Sequence, residues 1–321
     1  MAELHPQLEA LLAEIATANY PDQIDVPVDE ARRITVDRAQ RFYGPPEPVQ
    51  RVESLTIPGP AGPLNARLYA VEADGPLPIV VYFHGGGWVL GDCDSHDKGV
   101  RALTNASQCL SVSVEYRLAP ENPFPAAIDD CFAALRWVAD NAAALGGDAG
   151  RIAVAGDSAG GNLAAACALL AKAEGGPALA FQLLIYPVLD SDLETESYRE
   201  HADALVLNRA RMEYFWDRYV PDMAMRSDWR AAPMRALDLT GLPPALIIGS
   251  GLDPLYSEGV AYAKRLRDAG VETEHLPFPR MAHAFFQAPA LLDDSRGAID
   301  RAGSALKSAF GTQDPASAAA Q

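Results

Sequence analysis

The chain has 321 residues, 49% of them hydrophobic, and a formal net charge of -17 at pH 7. This length and apolar content suit one large α/β domain or two ordinary domains. The acidity and the lack of a basic patch exclude nucleic acid and anionic membrane surfaces as expected partners.

Neither a secretory leader nor a membrane anchor is predicted. The N-terminal stretch is acidic without a long apolar core, and no segment is apolar enough to cross a bilayer. We therefore expect a cytoplasmic protein with no stable membrane association, and a homodimer is compatible with the sequence. The four cysteines lack a Cys-x-x-Cys pair, so we expect neither a zinc site nor a disulfide framework. They are Cys93, Cys109, Cys131 and Cys167.

Two helices and a strand pair are predicted at the start of the chain. Apolar residues recur at i, i+3, i+4 and i+7 over residues 8–15, and a second helix is predicted over 28–42, before Gly44 and two prolines. Residues 51–57 and 64–71 alternate in polarity around a Gly/Pro turn. They predict an antiparallel pair at the edge of a sheet.

Further along, apolar strands alternate with helices. Such alternation predicts a parallel, doubly wound sheet, with functional groups at the carboxyl ends of its strands. The predicted strands are 79–83, 110–114, 151–155, 180–186, 245–248 and 271–278, and the predicted helices lie near 96–107, 125–143, 161–170, 256–269 and 290–310.

The segment 188–239 interrupts this alternation. It is polar, rich in aromatic residues and too long for an ordinary connection, so we predict a helical insertion there. Its aromatic side chains are interpreted as the core of that insertion, with a substrate site as the alternative. They are Tyr198, Tyr214, Phe215, Trp216, Tyr219 and Trp229.

The turn at residues 156–160, Gly-Asp-Ser-Ala-Gly, joins a buried strand to a helix rich in Ala and Leu. Ser158 is at its apex, where the backbone must adopt strained angles and only small neighbours fit. We expect an exposed Ser158 hydroxyl beside a helix N-terminus, which can stabilise negative charge. This pattern is typical of a nucleophile elbow; the alternative is a glycine-rich turn with an N-capping serine.

A second glycine-rich loop, His-Gly-Gly-Gly-Trp at 84–88, follows an upstream strand. Three glycines lose much backbone entropy on ordering, so the run suits a loop whose N–H groups approach a ligand closely. We expect the N–H groups of Gly86, Gly87 and Ala159 to form an oxyanion hole, with Gly85 as a further candidate. A phosphate-binding loop is the alternative, but neither of its glycine motifs follows a strand here.

These motifs resemble those of the hormone-sensitive-lipase branch of the α/β-hydrolase esterases. The resemblance rests on residues 84–88, on Tyr-Arg-Leu-Ala-Pro-Glu at 116–121 and on Gly-Asp-Ser-Ala-Gly-Gly-Asn at 156–162, and the pattern extends over residues 40–310. It implies the α/β-hydrolase fold, a mostly parallel eight-stranded sheet flanked by helices, with a helical cap. It also implies a carboxylic-ester hydrolase.

The sequence patterns and the resemblance together predict a division of the chain. The expected parts are N-terminal cap helices at 1–45, the first part of the core at 46–187, a cap insertion at 188–239, the second part of the core at 240–310 and a disordered tail at 311–321. For the N-terminal helices, plain structural packing is the alternative to a role in the cap.

In this fold the triad follows the order serine, acid, histidine, so the base and the acid are sought after Ser158. His275 lies inside a predicted strand, whereas His283 lies in the loop just beyond it and is the preferred base. Asp190 and Asp253 both follow strands. Asp253 is preferred because it precedes His283 by one helix and one strand, and because its loop resembles the acid loop of the family.

Other residues beside the motifs have secondary expected roles. Trp88 and Tyr186 are candidate walls of the substrate pocket, and His84 is expected to brace its loop rather than to catalyse. The chain departs from the family pattern at Ala284, where glycine is usual, and at Ser257, where aspartate is frequent. These departures bear on substrate fit more than on the chemistry.

The predicted function is that of a serine carboxylesterase. It would hydrolyse short- to medium-chain esters of small molecules through Ser158, His283 and Asp253 and an acyl-enzyme, with no metal or organic cofactor. An amidase or an acyltransferase would use the same triad. A non-catalytic small-molecule receptor of this fold is a further alternative.

Overall fold

Eight strands form one sheet, and two of its pairings are antiparallel. The computed structural model describes residues 3–312. The strands are β1 (Arg51–Gly59), β2 (Gly62–Ala70), β3 (Leu77–Phe83), β4 (Leu110–Glu115), β5 (Gly147–Asp157), β6 (Phe181–Ile185), β7 (Ala245–Leu252) and β8 (Thr273–Ala282). Their order is β1-β2-β4-β3-β5-β6-β7-β8, with β1–β2 and β2–β4 antiparallel and the other pairs parallel. This confirms the mostly parallel eight-stranded sheet.

The helices follow the predicted order along the chain. They are α1 (Pro6–Thr17), α2 (Val28–Phe42), α3 (Cys93–Ser107), α4 (Ala126–Asp140), α5 (Ala142–Leu145), α6 (Ala159–Glu174), α7 (Glu196–Glu200), α8 (Arg209–Tyr219), α9 (Tyr256–Asp268) and α10 (Asp293–Ala309). The helix predicted near 125–143 is divided at Asn141 into α4 and α5. Within residues 3–312, none of these helices has the length and apolar character needed to cross a membrane.

The 188–239 segment contains α7, α8 and two short 3-10 helices, Met223–Ser227 and Pro233–Arg235, so its predicted helical character is correct. Tyr198, Trp216 and Tyr219 are fully buried there, as expected for a core. The predicted disordered tail falls, from residue 313 onward, outside the described residues.

Two hydrophobic clusters cover the two faces of the sheet. In β3, Ile79, Val81 and Phe83 belong to one cluster, whereas Val80 and Tyr82 belong to the other. This alternation follows from the two-residue period of a strand. Because both faces are buried, the strand is apolar almost throughout. The glycine-rich loop at 84–88 therefore begins at the end of a tightly packed strand.

The predicted site residues all follow strands of this sheet. His84 comes directly after β3, Ser158 after β5, Asp253 after β7 and His283 after β8. Parallel neighbours end at the same edge of a sheet, so their carboxyl ends bring these four loops together.

Hydrogen bonds attach the start of α1 to the end of β8. The carbonyl oxygen of Arg280 accepts a bond from the N–H of His5 at 3.0 Å. The Arg280 guanidinium donates to the carbonyl oxygens of Glu3 and Leu4, at 3.2 and 3.0 Å. Arg280 precedes His283 by three residues, so α1 is held beside the loop that carries the predicted base.

The substitution Gly160→Ala should destabilise the fold. A Cβ atom at this position would lie 1.9 Å from the carbonyl oxygen of Phe83, because α6 crosses the end of β3 closely. We expect the free energy of unfolding, measured by urea denaturation, to fall by about 1–3 kcal/mol.

Gly297→Ala in α10 is the matched control. Nothing lies within 4 Å of a Cβ atom added at Gly297, so stability should stay equal or rise by up to about 1 kcal/mol. Equal stability of Gly160→Ala and the wild type would contradict the close crossing of α6 and β3.

Candidate active site

Ser158 lies in the sharp turn between β5 and α6, with φ 56° and ψ -120°. Positive φ is strained for a residue with a side chain, as the elbow motif predicts. The tightness is visible at Gly156, where an added Cβ would lie 2.3 Å from the carbonyl oxygen of Gly160. Ser158 is only 6% exposed. The expectation of an exposed hydroxyl was wrong, because Met212 and Phe215 of α8 line the same cavity and cover it.

The structure brings Ser158, His283 and Asp253 into one line of hydrogen bonds. The Nε2 atom of His283 is 2.9 Å from the Ser158 Oγ, and its Nδ1 atom is 2.6 Å from the Asp253 Oδ2. The Asp253 side chain is fully buried and also accepts the N–H of Leu255 at 2.9 Å. An ionised carboxylate only accepts hydrogen bonds, so Nδ1 of His283 carries the proton and Nε2 faces the serine.

The competing residues lie elsewhere. Asp190 binds the guanidinium of Arg235 at 2.8 Å, and its own N–H donates to Glu258 at 2.6 Å. His275 is within β8, and burial lowers its pKa. Neither residue contacts His283 or Ser158 through the hydrogen bonds of the described chain.

Two glycines of the 84–88 loop present free N–H groups to the site. Gly86 and Gly87 have φ values of 114° and 61°, which side chains rarely adopt. Both line the cavity with Ser158, and no group within residues 3–312 accepts their N–H groups. Ala159 begins α6, so its N–H has no acceptor inside the helix.

The N–H of Gly85, in contrast, is not free to bind a ligand. Its N–H donates to the Asp157 Oδ1 at 3.0 Å and lies 3.2 Å from the His96 Nε2. The inclusion of Gly85 among the oxyanion donors is therefore corrected, because its N–H is already bound to the protein.

His84 supports this loop from behind. Its Nδ1–H donates to the carbonyl oxygen of Gly85 at 2.8 Å, and its ring stacks on Tyr116 with centroids 4.3 Å apart. Burial lowers the pKa of His84 to about 4, so the ring is neutral at physiological pH. These contacts agree with a bracing role.

The two predicted pocket walls do not line either cavity of the site. Trp88 is fully buried and stacks on Tyr219 of α8, with ring centroids 4.1 Å apart. Tyr186 packs behind His283, with ring centroids 4.7 Å apart. Both predictions were wrong, because aromatic bulk near a motif is used here to pack α8 and the base-bearing loop.

A buried carboxylate that the sequence analysis did not single out joins the elbow to the glycine loop. Asp157 accepts the Gly85 N–H and the Tyr82 hydroxyl, the latter at 2.8 Å, and the His96 Nε2 is 3.3 Å from its Oδ2. The His96 Nδ1 lies 3.0 Å from the Ser95 Oγ and 3.3 Å from the carbonyl oxygen of Asp92.

Between pH 3.8 and 6.5, both His96 and Asp157 are charged and form an ion pair. Burial lowers the pKa of His96, but the charge and hydrogen bond of Asp157 outweigh burial, and that pKa lies above its usual value. Burial raises the pKa of Asp157, but His96 and the Tyr82 hydroxyl outweigh it, and that pKa lies below its usual value. Asp157 was visible as the variable position of the elbow motif, whereas nothing in the sequence marked His96.

Two cavities meet at His283. The inner one, of 130 Å³, is lined by Ser158, Gly86, Gly87 and Phe215. The outer one, of 590 Å³, lies between α1 and the loop after β8. A small inner space beside the serine and a larger apolar space beyond it suit a small organic substrate.

The two departures from the family pattern lie beside the site. Ala284 adopts φ 66°, where glycine would be unstrained. The Ser257 hydroxyl accepts the N–H of Ser197 at 3.1 Å and so links the acid loop to α7.

Comparison with known proteins decides the family. A family model described as alpha/beta hydrolase fold matches residues 80–287. The chain belongs to the α/β-hydrolase family. This α/β hydrolase is 46% identical to the carboxylesterase NlhH of Mycobacterium tuberculosis over 283 residues, which cover 85% of this chain and 88% of that protein. It is 38% identical to the esterase LipI of the same species over 311 residues, covering 95% and 96%.

Solved structures agree with these relatives. A serine-to-alanine variant of LAE6, an α/β-hydrolase enzyme from the metagenome of Lake Arreo, is 40% identical, with a TM-score of 0.92 over 97% of this chain and 100% of that one. An esterase from Pyrobaculum calidifontis is 39% identical, with a TM-score of 0.89 over 96% and 99%. The chain is thus a carboxylic-ester hydrolase, and the resemblance to the hormone-sensitive-lipase branch is confirmed.

The stability contributed by the His96–Asp157 pair should depend on pH. The raised pKa of His96 gives a contribution that is fully present below pH 6.5 and is lost as pH rises through the folded-state pKa. The lowered pKa of Asp157 gives a contribution present above pH 3.8 and lost as pH falls through the folded-state pKa. The loss of unfolding free energy in His96→Gln should therefore be largest between pH 3.8 and 6.5, as measured by urea denaturation.

Lys264→Gln is the control for this profile. It removes an exposed ion pair with Asp268 on α9, away from the site. Its effect should be small and without a maximum in that range. A loss in His96→Gln that does not vary with pH would contradict the ion pair.

Proposed function

We propose that this α/β hydrolase is a serine carboxylesterase acting on short- to medium-chain esters, with Ser158 as nucleophile, His283 as base and Asp253 as acid. The observation that carries the proposal is the line of hydrogen bonds from Asp253 through His283 to Ser158, beside a cavity with free backbone N–H groups. The carboxylesterase relatives support the same reaction class.

In the first half-reaction, the Ser158 oxygen attacks the ester carbonyl while the His283 Nε2 takes the serine proton. The resulting imidazolium is stabilised by the Asp253 carboxylate. It then gives the proton to the departing alcohol oxygen as the carbon–oxygen bond of the ester breaks. An acyl-enzyme on Ser158 remains.

The oxyanion formed during attack needs donors that are already in place. The N–H groups of Gly86, Gly87 and Ala159 are the proposed donors. They require little rearrangement at the moment of reaction, because the loop and the elbow are held by buried contacts.

In the second half-reaction, His283 takes a proton from water while the water oxygen attacks the acyl carbon. The proton then returns to the Ser158 oxygen as the acid is released. One ester and one water thus yield one acid and one alcohol, and the enzyme is regenerated.

The cap is proposed to consist of residues 1–45 and 188–239, with the core at 46–187 and 240–310. The support comes from the cavity walls. Side chains of α1 line the outer cavity together with His283, and side chains of α8 line the inner cavity together with Ser158.

Ser158→Ala should abolish ester hydrolysis while leaving the fold intact. We expect kcat for a p-nitrophenyl ester to fall by roughly 10⁴–10⁶, because attack and proton transfer are lost together. An organophosphate should label Ser158 in the wild type, as seen by peptide mass spectrometry. Turnover retained in the alanine variant would sink the nucleophile assignment.

The acid is tested by a matched pair. Asp253→Asn should lower kcat by about 10⁴, because the amide favours the wrong tautomer of His283. Asp190→Asn should have little effect on kcat, because that carboxylate binds Arg235. If Asp190→Asn lowered kcat more than Asp253→Asn, the assignment of Asp253 as the acid would be wrong.

Hydrolysis should favour short acyl chains. Each further methylene contributes about 0.8 kcal/mol only while it contacts apolar wall, and the inner cavity holds only 130 Å³. We expect kcat/KM for p-nitrophenyl esters to peak at about C4 to C8, within the length that this apolar wall can cover.

Phe215→Ala provides the structural arm of this experiment. A Cβ atom on Gly87 would lie 2.2 Å from the Phe215 ring, so the ring is seated on the glycine loop. Removal of the Phe215 ring should enlarge the inner cavity and move the maximum of kcat/KM to longer acyl chains. Activity in the wild type that rises continuously with chain length, or jumps at the solubility limit, would mean a lipase instead.

A further inference from the structure

An arginine without a partner faces both cavities of the site. Arg38 of α2 lines the inner cavity with Ser158 and His283, and it also lines the outer cavity. Its side chain is half-buried, and its Nε atom is buried without an acceptor. Within the described range 3–312, its guanidinium makes no hydrogen bond or ion pair. The Tyr20 ring centroid is 5.9 Å from its Cζ, at the outer limit of a cation–π contact.

The carboxylates near Arg38 are bound by other arginines. Asp22 holds Arg211 at 3.1 Å, and Asp37 holds Arg41 at 3.3 Å. A guanidinium stays charged at physiological pH, and removing a charge from water without a partner is costly. The chain therefore keeps, in the wall of its active site, a guanidinium that no carboxylate within residues 3–312 binds directly.

The other charged groups of the inner cavity do not cancel this charge. Asp157 is bound by His96, and Arg211 is bound by Asp22, so each of these groups already has a partner. Glu9 lines the outer cavity and not the inner one. Among the charged side chains that line the inner cavity, Arg38 is thus the one without a hydrogen-bonded partner within residues 3–312, in a chain whose net charge is -17.

We propose that Arg38 binds a free carboxylate of the substrate, so that the preferred substrates are esters bearing such a carboxylate, such as half-esters of short dicarboxylic acids. This rests on the proposed function, because the ester group of the same molecule must reach Ser158. A guanidinium holds a carboxylate through two parallel hydrogen bonds. Burial raises the pKa of Tyr43, which lines both cavities near Arg38, so its hydroxyl keeps its proton and can donate as well.

The test compares monomethyl glutarate with methyl pentanoate, which differ by a carboxylate in place of a terminal methyl group. The wild type should prefer the half-ester in kcat/KM at pH 7. In Arg38→Met the ratio of the two kcat/KM values should fall by about 10- to 100-fold, the range for hydrogen bonds to charged groups, mainly through KM. In Arg38→Lys the fall should be intermediate, because the charge remains without the planar fork.

Arg33→Met is the matched control. Arg33 is an exposed arginine of the same helix that lines neither cavity, and it should leave the ratio at the wild-type value. A wild-type enzyme that prefers methyl pentanoate, or an Arg38→Met variant with an unchanged ratio, would overturn the proposal.

Binding without turnover separates this proposal from the proposed function. Calorimetry on Ser158→Ala should detect the binding of monomethyl glutarate. The further substitution Arg38→Met should weaken that binding by about 10- to 100-fold, as in the kinetic test. Binding that depends on Arg38 while the wild type hydrolyses neither ester would contradict the esterase mechanism alone. Hydrolysis of methyl pentanoate without Arg38-dependent binding would contradict the carboxylate site alone.

Discussion

The buried carboxylate of Asp157 is the contact on which the site depends most. It lies one residue before Ser158 and accepts the N–H of Gly85, so one side chain fixes the distance between the elbow and the glycine loop. A carboxylate this deeply buried needs compensation, which the Tyr82 hydroxyl and His96 supply. The spacing between nucleophile and oxyanion donors is thus set by an ion pair that does not itself take part in the proposed chemistry.

Strain at the site is held in place by packing. Ser158 and Ala284 both adopt positive φ, the first before α6 and the second directly after His283. Such angles persist only where the surroundings determine them. Around Ser158 the surroundings are backbone, because Gly156 and Gly160 bring β5, α6 and β3 into direct contact. The protein therefore places two residues with side chains and positive φ on either side of the hydrogen bond between Ser158 and His283.

The sequence was informative wherever local pattern determines structure. Strands such as β3 follow from an unbroken apolar run, and the elbow follows from its small residues. It failed where the role of a group depends on distant partners. Whether the Gly85 N–H is free depends on Asp157, and the packing of Trp88 depends on Tyr219 of α8. The isolation of Arg38 is of the same kind, because it arises from the pairing of Asp22 and Asp37 with other arginines.

The attachment of α1 to Arg280 has a mechanical consequence. One main-chain hydrogen bond and two hydrogen bonds from the Arg280 side chain connect the start of α1, a wall of the outer cavity, to β8, the strand that precedes His283. A displacement of α1 that widened the outer cavity would therefore strain the end of β8, next to the His283 imidazole. The width of the outer cavity and the alignment of the His283 imidazole would thus be coupled through the hydrogen bonds of Arg280.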